Sequence, residues 1–106
     1  MATGPVTSLL DAEARLAAVH DAIRELGVVR LALFGSVVRG TARPDSDVDV
    51  LVQFLPGAKT FDRFLDLSEL LEATLGRRVE LLITEALSPY MGPRILAEAR
   101  DVLRAA

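Results

Sequence analysis

The sequence predicts an α/β fold in which helices flank a small mixed sheet of three to four strands. Two patterns support this prediction. Apolar residues recur at helical spacing in three stretches, and three short apolar runs between them are typical of buried strands. With 106 residues, 51% of them apolar and 25% charged, the chain suits a single globular domain covering residues 1–106.

The first predicted helix extends from about Ser8 to Leu26. Its apolar positions recur three or four residues apart and are Leu16, Val19, Ile23 and Leu26. Gly27 ends this helix, because glycine adopts the left-handed conformation of a helix C-terminus without strain. The run VVRLALF at 28–34 follows, and its β-branched, apolar composition predicts a buried strand.

The segment GSVVRGTARPDS at 35–46 is rich in turn-forming residues and has room for a short helix. A second strand, DVDVLVQF at 47–54, comes after it. Because a loop of this kind allows either arrangement, the relative direction of the first two strands stays open.

A second long helix is predicted at 60–75, with Thr60 as its N-cap and Gly76 as its end. Its core-facing residues are predicted to be Phe61, Phe64, Leu65, Leu71 and Leu75. Leu67 and Leu70 widen the apolar band of this helix. We favour the interpretation that the wider band lies in the core, and a docking face for a partner is the alternative. A third strand at 78–83 then pairs in parallel with the second, since the helix supplies the crossover.

A last helix is predicted after the loop SPYMGP, ending at about Leu103. Its apolar stripe consists of Ile95, Leu96, Ala99, Val102 and Leu103. In that loop, Tyr90 and Met91 either line a base pocket or, as we favour, pack within the loop.

The composition excludes several classes of protein. Without cysteine, the chain has no disulfide, thiolate nucleophile or cysteine-built zinc site, and one histidine, His20, gives little basis for a catalytic triad. A formal net charge of −3 disfavours direct nucleic-acid binding. The start of the chain lacks a signal-peptide pattern and no apolar run is long enough to span a membrane, so we expect a cytoplasmic protein.

The candidate chemistry is concentrated between residues 35 and 49. Asp47 and Asp49 are two residues apart on a predicted strand, so both carboxylates leave one face while Val48 and Val50 point into the core. Like charges so close need a cation, and Mg²⁺ prefers oxygen ligands of this kind. Exposed turn carboxylates are the alternative interpretation of this pair.

Gly35 and Ser36 stand where the first strand ends. A glycine there lets a phosphate approach the backbone N–H groups, and the serine hydroxyl adds a further contact. Turns use both residue types often, so neither motif is specific alone. Ten residues separate Ser36 from Asp47, and this fixed spacing makes the combined pattern specific.

The run GSVVRGTARPDSDVDVLV closely resembles the signature of the nucleotidyltransferase superfamily: Gly-Ser, ten residues, then Asp-x-Asp on a strand. The short length and order of elements resemble the minimal nucleotidyltransferases (MNT), which form toxin–antitoxin pairs with HEPN-domain partners. The resemblance implies the nucleotidyltransferase fold. It also implies that Asp47 and Asp49 hold two Mg²⁺ ions on a nucleoside triphosphate, ATP being the expected one, and that Gly35 and Ser36 hold its phosphates.

The same resemblance implies a third carboxylate on the next strand, which binds a metal ion and helps to deprotonate the acceptor hydroxyl. The family usually has aspartate in that place, whereas RRVELLI offers Glu80. The alternative is a surface ion pair between Glu80 and Arg78. Arg39 and Arg43 either contact phosphate or pair with Asp45 to fix the loop.

The expected function is Mg²⁺-dependent transfer of a nucleoside monophosphate to a hydroxyl of a partner protein. By resemblance, that partner is a HEPN-type ribonuclease toxin and this chain its antitoxin. We expect the acceptor surface to come from another protein or protomer, since little chain follows the third strand, and an oligomer is possible. The alternative is a degenerate, nucleotide-binding antitoxin that neutralises its partner by contact alone.

Overall fold

The computed structural model describes residues 4–104. In chain order its elements are α1 (Leu9–Ala18), α2 (His20–Glu25), β1 (Val28–Phe34), α3 (Ser36–Arg39), β2 (Val48–Phe54), α4 (Phe61–Leu75), β3 (Val79–Ile83), a 3₁₀ turn (Thr84–Ala86), α5 (Gly92–Glu98) and β4 (Arg100–Arg104). The predicted α/β class, with a small mixed sheet flanked by helices, is confirmed.

The four strands form one sheet in the order β3-β2-β1-β4. β1 is antiparallel to β2 and to β4, which answers the question of direction that the sequence left open. β2 and β3 are parallel, with α4 as the predicted crossover. Thr60 caps α4 as expected, its hydroxyl accepting a hydrogen bond from the Arg63 N–H at 3.2 Å.

The sheet has a large core on one face. Alternate residues of β2, namely Val48, Val50 and Val52, pack there with the buried side of α1 and α4. Within α4, Leu67, Leu71 and Leu75 are fully buried, so the wider apolar band is core, as favoured. The prediction that Phe61 and Leu65 face the core is wrong, because Phe61 is 75% exposed and Leu65 is 41% exposed.

The other face of the sheet carries a much smaller core. Its buried members are Ala32, Phe34 and Leu51, and α5 covers them with Ile95. Because side chains alternate along a strand, Asp49 lies on the same face as Leu51, which is two residues further along β2. The thinly covered face is therefore the one that carries the candidate chemistry.

The C-terminal segment differs from the prediction. The predicted helix ends at Glu98, where Ala99 turns to extended backbone with ψ 136°, and residues 100–104 form β4. β4 pairs with the free edge of β1, and Arg30 Nε donates across the pair to Asp101 Oδ1 at 2.8 Å. Unpaired β1 N–H and C=O groups favour a strand there over continuation of the helix, and helical periodicity cannot reveal this.

The first predicted helix is broken in two at Val19, whose N–H bonds three residues back to Leu16 instead of four. The break lets α1 pack on α4 while α2 packs on β1, where Ile23 is buried. Within residues 4–104, no helix has the length and apolar character needed to cross a bilayer.

Candidate active site

The candidate site is built around Gly35, at the end of β1. Gly35 has φ 76°, a conformation that favours glycine, and an ideal Cβ there would lie 2.0 Å from Oδ2 of Asp49. The missing side chain thus leaves the space that the Asp49 carboxylate fills. Ser36 follows as the first residue of α3.

Asp49 and Glu80 stand beside each other on neighbouring parallel strands, as register partners. Asp49 is partly buried and Glu80 is exposed. Burial raises the pKa of Asp49 to about 6, aided by the charge of Glu80, a hydrogen bond with Glu80 and the charge of Asp47, against a smaller opposing effect of Arg39. The structure therefore brings together the second aspartate of the signature and the predicted third carboxylate.

Asp47 is exposed and directly precedes β2. Arg77 holds the preceding turn, because its Nη1 donates to the carbonyl oxygens of Arg43 at 2.7 Å and of Ser46 at 3.2 Å. The Arg43 N–H also donates to the Ser46 hydroxyl at 3.0 Å. These bonds fix the turn that leads into the two aspartates.

Arg39 pairs with Glu98 of α5 rather than with Asp45. Its Nη1 lies 2.9 Å from Oε1 and 3.0 Å from Oε2 of Glu98. The backbone N–H of Gly35 donates to the same Oε1. The Glu98 carboxylate therefore binds the Gly35 N–H and the Arg39 guanidinium, two groups that the sequence analysis assigned to phosphate binding.

Two cavities, each of about 320 Å³, meet at Asp49. The first is mostly apolar, and its lining includes Glu80, Leu82, Leu87 and Met91. The second is more polar, with Arg39, Arg94 and Glu98 in its lining.

The arrangement suits a charged ligand on one side of Asp49 and an apolar group on the other. Met91 lines both cavities, in line with the alternative of a pocket residue. Tyr90 is 92% exposed, so the favoured interpretation, packing within the loop, is wrong for Tyr90.

The donor set fits Mg²⁺ in its chemistry, since Asp47, Asp49 and Glu80 supply only hard carboxylate oxygens. Burial raises the pKa of Asp49 most, and the charges of Glu80 and Asp47 raise it further; a bound cation would relieve this repulsion between the carboxylates. Nowhere in residues 4–104 are three acidic or histidine side chains already gathered as a metal cage. The ion pairs between residues 4 and 104 include none between Arg78 and Glu80, the predicted alternative.

Sequence reasoning missed Glu98, Arg94 and Arg77. Glu98 lies 59 residues along the chain from Arg39, Arg94 lies four residues before Glu98, and only the folding of α5 over the sheet brings them to the signature. Arg77 stands just after α4, where a charge next to a strand usually means solvent contact. Partial burial distinguishes Arg77 from an ordinary surface arginine, and this burial cannot be inferred from the sequence.

The family of this chain follows from comparison with known proteins. Residues 16–102 match the model of the nucleotidyltransferase domain. The chain belongs to this nucleotidyltransferase family. The matched range contains the whole signature, from Gly35 to Asp49, and Glu80, so the enzyme class predicted from the signature is confirmed.

Individual relatives agree with this assignment. The nucleotidyltransferase chain is 40% identical over 92 residues to the protein adenylyltransferase MntA of Thermococcus cleftensis, covering 86% of this chain and 92% of the relative. A solved structure assigned as a minimal nucleotidyltransferase shares 40% identity with a TM-score of 0.77, covering 88% of this chain and 94% of the other.

A more distant solved structure, a tri-AMPylated HEPN toxin of Shewanella oneidensis in complex with an MNT antitoxin, has the same fold. It matches with a TM-score of 0.64 at 14% identity, covering 89% of this chain and 73% of the other.

Proposed function

We propose that this chain is a Mg²⁺-dependent protein adenylyltransferase that transfers AMP from ATP to a hydroxyl of a partner protein. The observation that carries the proposal is the meeting of Asp49, Glu80 and the Gly35 backbone at one point of the sheet, beside a cavity bordered by Arg39. The 40% identity with MntA supports the same reaction.

Each predicted residue has a role in this reaction. Gly35, Ser36 and Arg39 would hold the triphosphate, and Asp47, Asp49 and Glu80 would hold two Mg²⁺ ions. When bound, the ions would neutralise the charge that develops on the attacking and leaving oxygens.

The covalent step is an in-line substitution at phosphorus. Glu80, the exposed carboxylate of the pair, accepts the proton of the acceptor hydroxyl. The hydroxyl oxygen forms a bond to the α-phosphorus of ATP, and the bond from this phosphorus to its bridging oxygen breaks. Pyrophosphate leaves with that electron pair, and AMP remains on the acceptor.

The proposed acceptor is a HEPN-type ribonuclease toxin, which makes this chain an antitoxin that works in the cytoplasm, where ATP is available. Two observations support the partner: the identity with a protein adenylyltransferase, and a shared fold with an MNT antitoxin that was solved on a modified HEPN toxin.

The test uses ATP labelled at the α-phosphate, Mg²⁺, the purified protein and a lysate of its own host. We expect a labelled protein band that disappears with Asp47→Asn and with Asp49→Asn. Asp45→Asn is the matched control, because Asp45 is an exposed carboxylate of the same turn that belongs to neither the Gly-Ser nor the Asp-x-Asp motif, and its loss removes the same charge. Mass spectrometry of the band identifies the acceptor residue.

Glu80 separates transfer from contact-only neutralisation. We expect Glu80→Gln to lose transfer and to keep binding Mg²⁺–ATP, since Asp47 and Asp49, the aspartate pair of the signature, both remain, and we expect Glu80→Asp to retain part of the transfer. Activity that survives in Asp49→Asn contradicts the mechanism. A stable complex with the partner that forms equally well in Asp49→Asn, with no added mass on the partner, supports the contact-only antitoxin instead.

A further inference from the structure

The carboxylate of Glu98 lies in the second cavity, where it accepts hydrogen bonds from the Gly35 N–H and from Arg39. Both donors are ones that an anionic ligand needs, and a carboxylate resembles a phosphate group in charge and in presenting two oxygens to a guanidinium. Its side chain is 27% exposed, so the interaction is partly shielded from solvent. In this structure, the hydrogen-bond donors proposed to bind an anion, the Gly35 N–H and Arg39, are thus occupied by the chain's own Glu98.

We propose that Glu98 is an internal competitor for the phosphate-binding donors, and that a bound triphosphate displaces it. This inference rests on the proposed function in taking a nucleoside triphosphate as the ligand. The displaced carboxylate would release Arg39 to the phosphate, and Arg94, which lines the same cavity, adds a second cation there. Glu98 therefore sets the affinity for triphosphate and keeps the site closed to weaker anions.

The position of Glu98 makes the displacement mechanically simple. Glu98 is the last residue of α5, and Ala99 already has extended backbone. The helix packs on the small core of three buried residues rather than on the large one. Movement of the Glu98 side chain, or of the end of α5, consequently disturbs little buried surface.

The test measures binding of inorganic tripolyphosphate by calorimetry without Mg²⁺, so that the carboxylates of Asp49 and Glu80 are not involved through a metal ion. We expect Glu98→Gln to bind about tenfold more tightly than the unaltered protein, because the glutamine amide lacks the charge that holds Arg39. The matched control is Asp101→Asn: Asp101 is 28% exposed, pairs with Arg30 at 2.8 Å and loses the same charge away from the cavity. We expect its affinity to stay within about twofold of the unaltered protein.

The opposite role of Glu98, holding Arg39 ready for phosphate, predicts the opposite result. Weaker or unchanged binding in Glu98→Gln overturns the inference, as does an equal gain in Asp101→Asn or an absence of tripolyphosphate binding in both proteins. These outcomes are independent of transfer: a failed transfer assay contradicts the proposed function, whereas a failed affinity comparison contradicts only the role of Glu98.

A second measurement uses the unaltered protein and so does not depend on the variant folding. The Gly35 amide and the Glu98 side-chain carboxyl resonances are followed by NMR as tripolyphosphate is added. We expect both to shift together at saturation, the carboxyl toward the position of a solvent-exposed glutamate. A Glu98 carboxyl resonance that stays in place while the anion binds overturns displacement.

Discussion

At the scale of single residues, the site depends on the absence of a side chain at Gly35 and on the closeness of three carboxylates, those of Asp47, Asp49 and Glu80. Gly35 gives Asp49 its place, and Asp49 in turn has a pKa of about 6 because it is partly buried beside Glu80 and Asp47. Both features weaken the folded state in the absence of a ligand. A bound cation and bound phosphates would offset this loss of stability, which leads to three predictions.

Gly35→Ala should destabilise the protein and disrupt the site. Its Cβ would lie 2.0 Å from the Asp49 carboxylate, and the backbone is at φ 76°. We expect a loss of ~3 kcal/mol in the free energy of unfolding by urea titration. Gly57→Ala is the control: with φ 79° and nothing within 4 Å of its Cβ, it should lose only ~1 kcal/mol. Equal losses would show that backbone strain alone matters at Gly35.

Asp49→Asn should stabilise the metal-free protein by about 1 kcal/mol at pH 7, a value reduced for solvent screening. The pKa of Asp49 is raised from 3.8 to about 6 on folding, so the folded protein binds more protons between these values and its stability falls as pH rises through them. The gain should vanish near pH 4. Thermal unfolding across pH measures it.

Mg²⁺ should raise the melting temperature of the unaltered protein and leave that of Asp49→Asn nearly unchanged. A variant less stable than the unaltered protein at pH 7 would contradict the account of Asp49.

At the scale of elements, two connections decide where the site residues stand. One is the turn before β2, which Arg77 holds from outside, and the other is β4, which completes the sheet beside β1. The sequence predicted the turn itself, but it predicted neither the contact of Arg77 with the turn nor β4, because each depends on a contact between segments that are distant in the chain.

Arg77→Ala should loosen the turn that leads into Asp47. Two hydrogen bonds to carbonyl oxygens disappear, so we expect a loss of about 1–2 kcal/mol in stability and weaker binding of Mg²⁺–ATP by calorimetry. Arg78→Ala, which removes the exposed neighbouring arginine, is the control and should change neither quantity. If both variants bind alike, Arg77 does not position the turn.

Leu103→Ala and Leu96→Ala distinguish the strand from the predicted helix. A helix ending at about residue 103 would put both leucines on one buried stripe, whereas in the structure Leu103 is 4% exposed and Leu96 is 46% exposed. We expect losses of ~2–3 kcal/mol for Leu103→Ala and under ~1 kcal/mol for Leu96→Ala in urea unfolding. Similar losses would favour the continuous helix.

At the scale of the whole molecule, the two faces of the sheet are unequal. The large core joins α1, α2 and α4 to one face, whereas the small core under α5 has, within residues 4–104, only three buried members. The residues proposed for catalysis lie on the thinly covered face. The large core thus holds the sheet in place, while the opposite face, with its thinner cover, stays accessible to ligands.

This inequality predicts local opening. We expect amides of α5 such as Ile95 and Ala99, which bond to carbonyls four residues back, to exchange with solvent through an opening at least ~2 kcal/mol below global unfolding. Amides of β2 should exchange only on global unfolding. Native-state hydrogen exchange at increasing denaturant separates the two. A common free energy and denaturant dependence for α5 and β2 would contradict local opening.

Sequence patterns predict the fold class, the crossover helix with its Thr60 cap, the family signature and the candidate residues from Gly35 to Asp49 and Glu80. These depend on short-range patterns: periodicity, capping, turn residues and spacing along one segment. Three features are seen only in the folded chain: the antiparallel direction of β1 and β2, the formation of β4 in place of a longer helix, and the contacts of Glu98 and Arg77. Each of these depends on which distant segment satisfies an exposed strand edge, a backbone donor or a charge, and side-chain order along the chain carries no record of that choice.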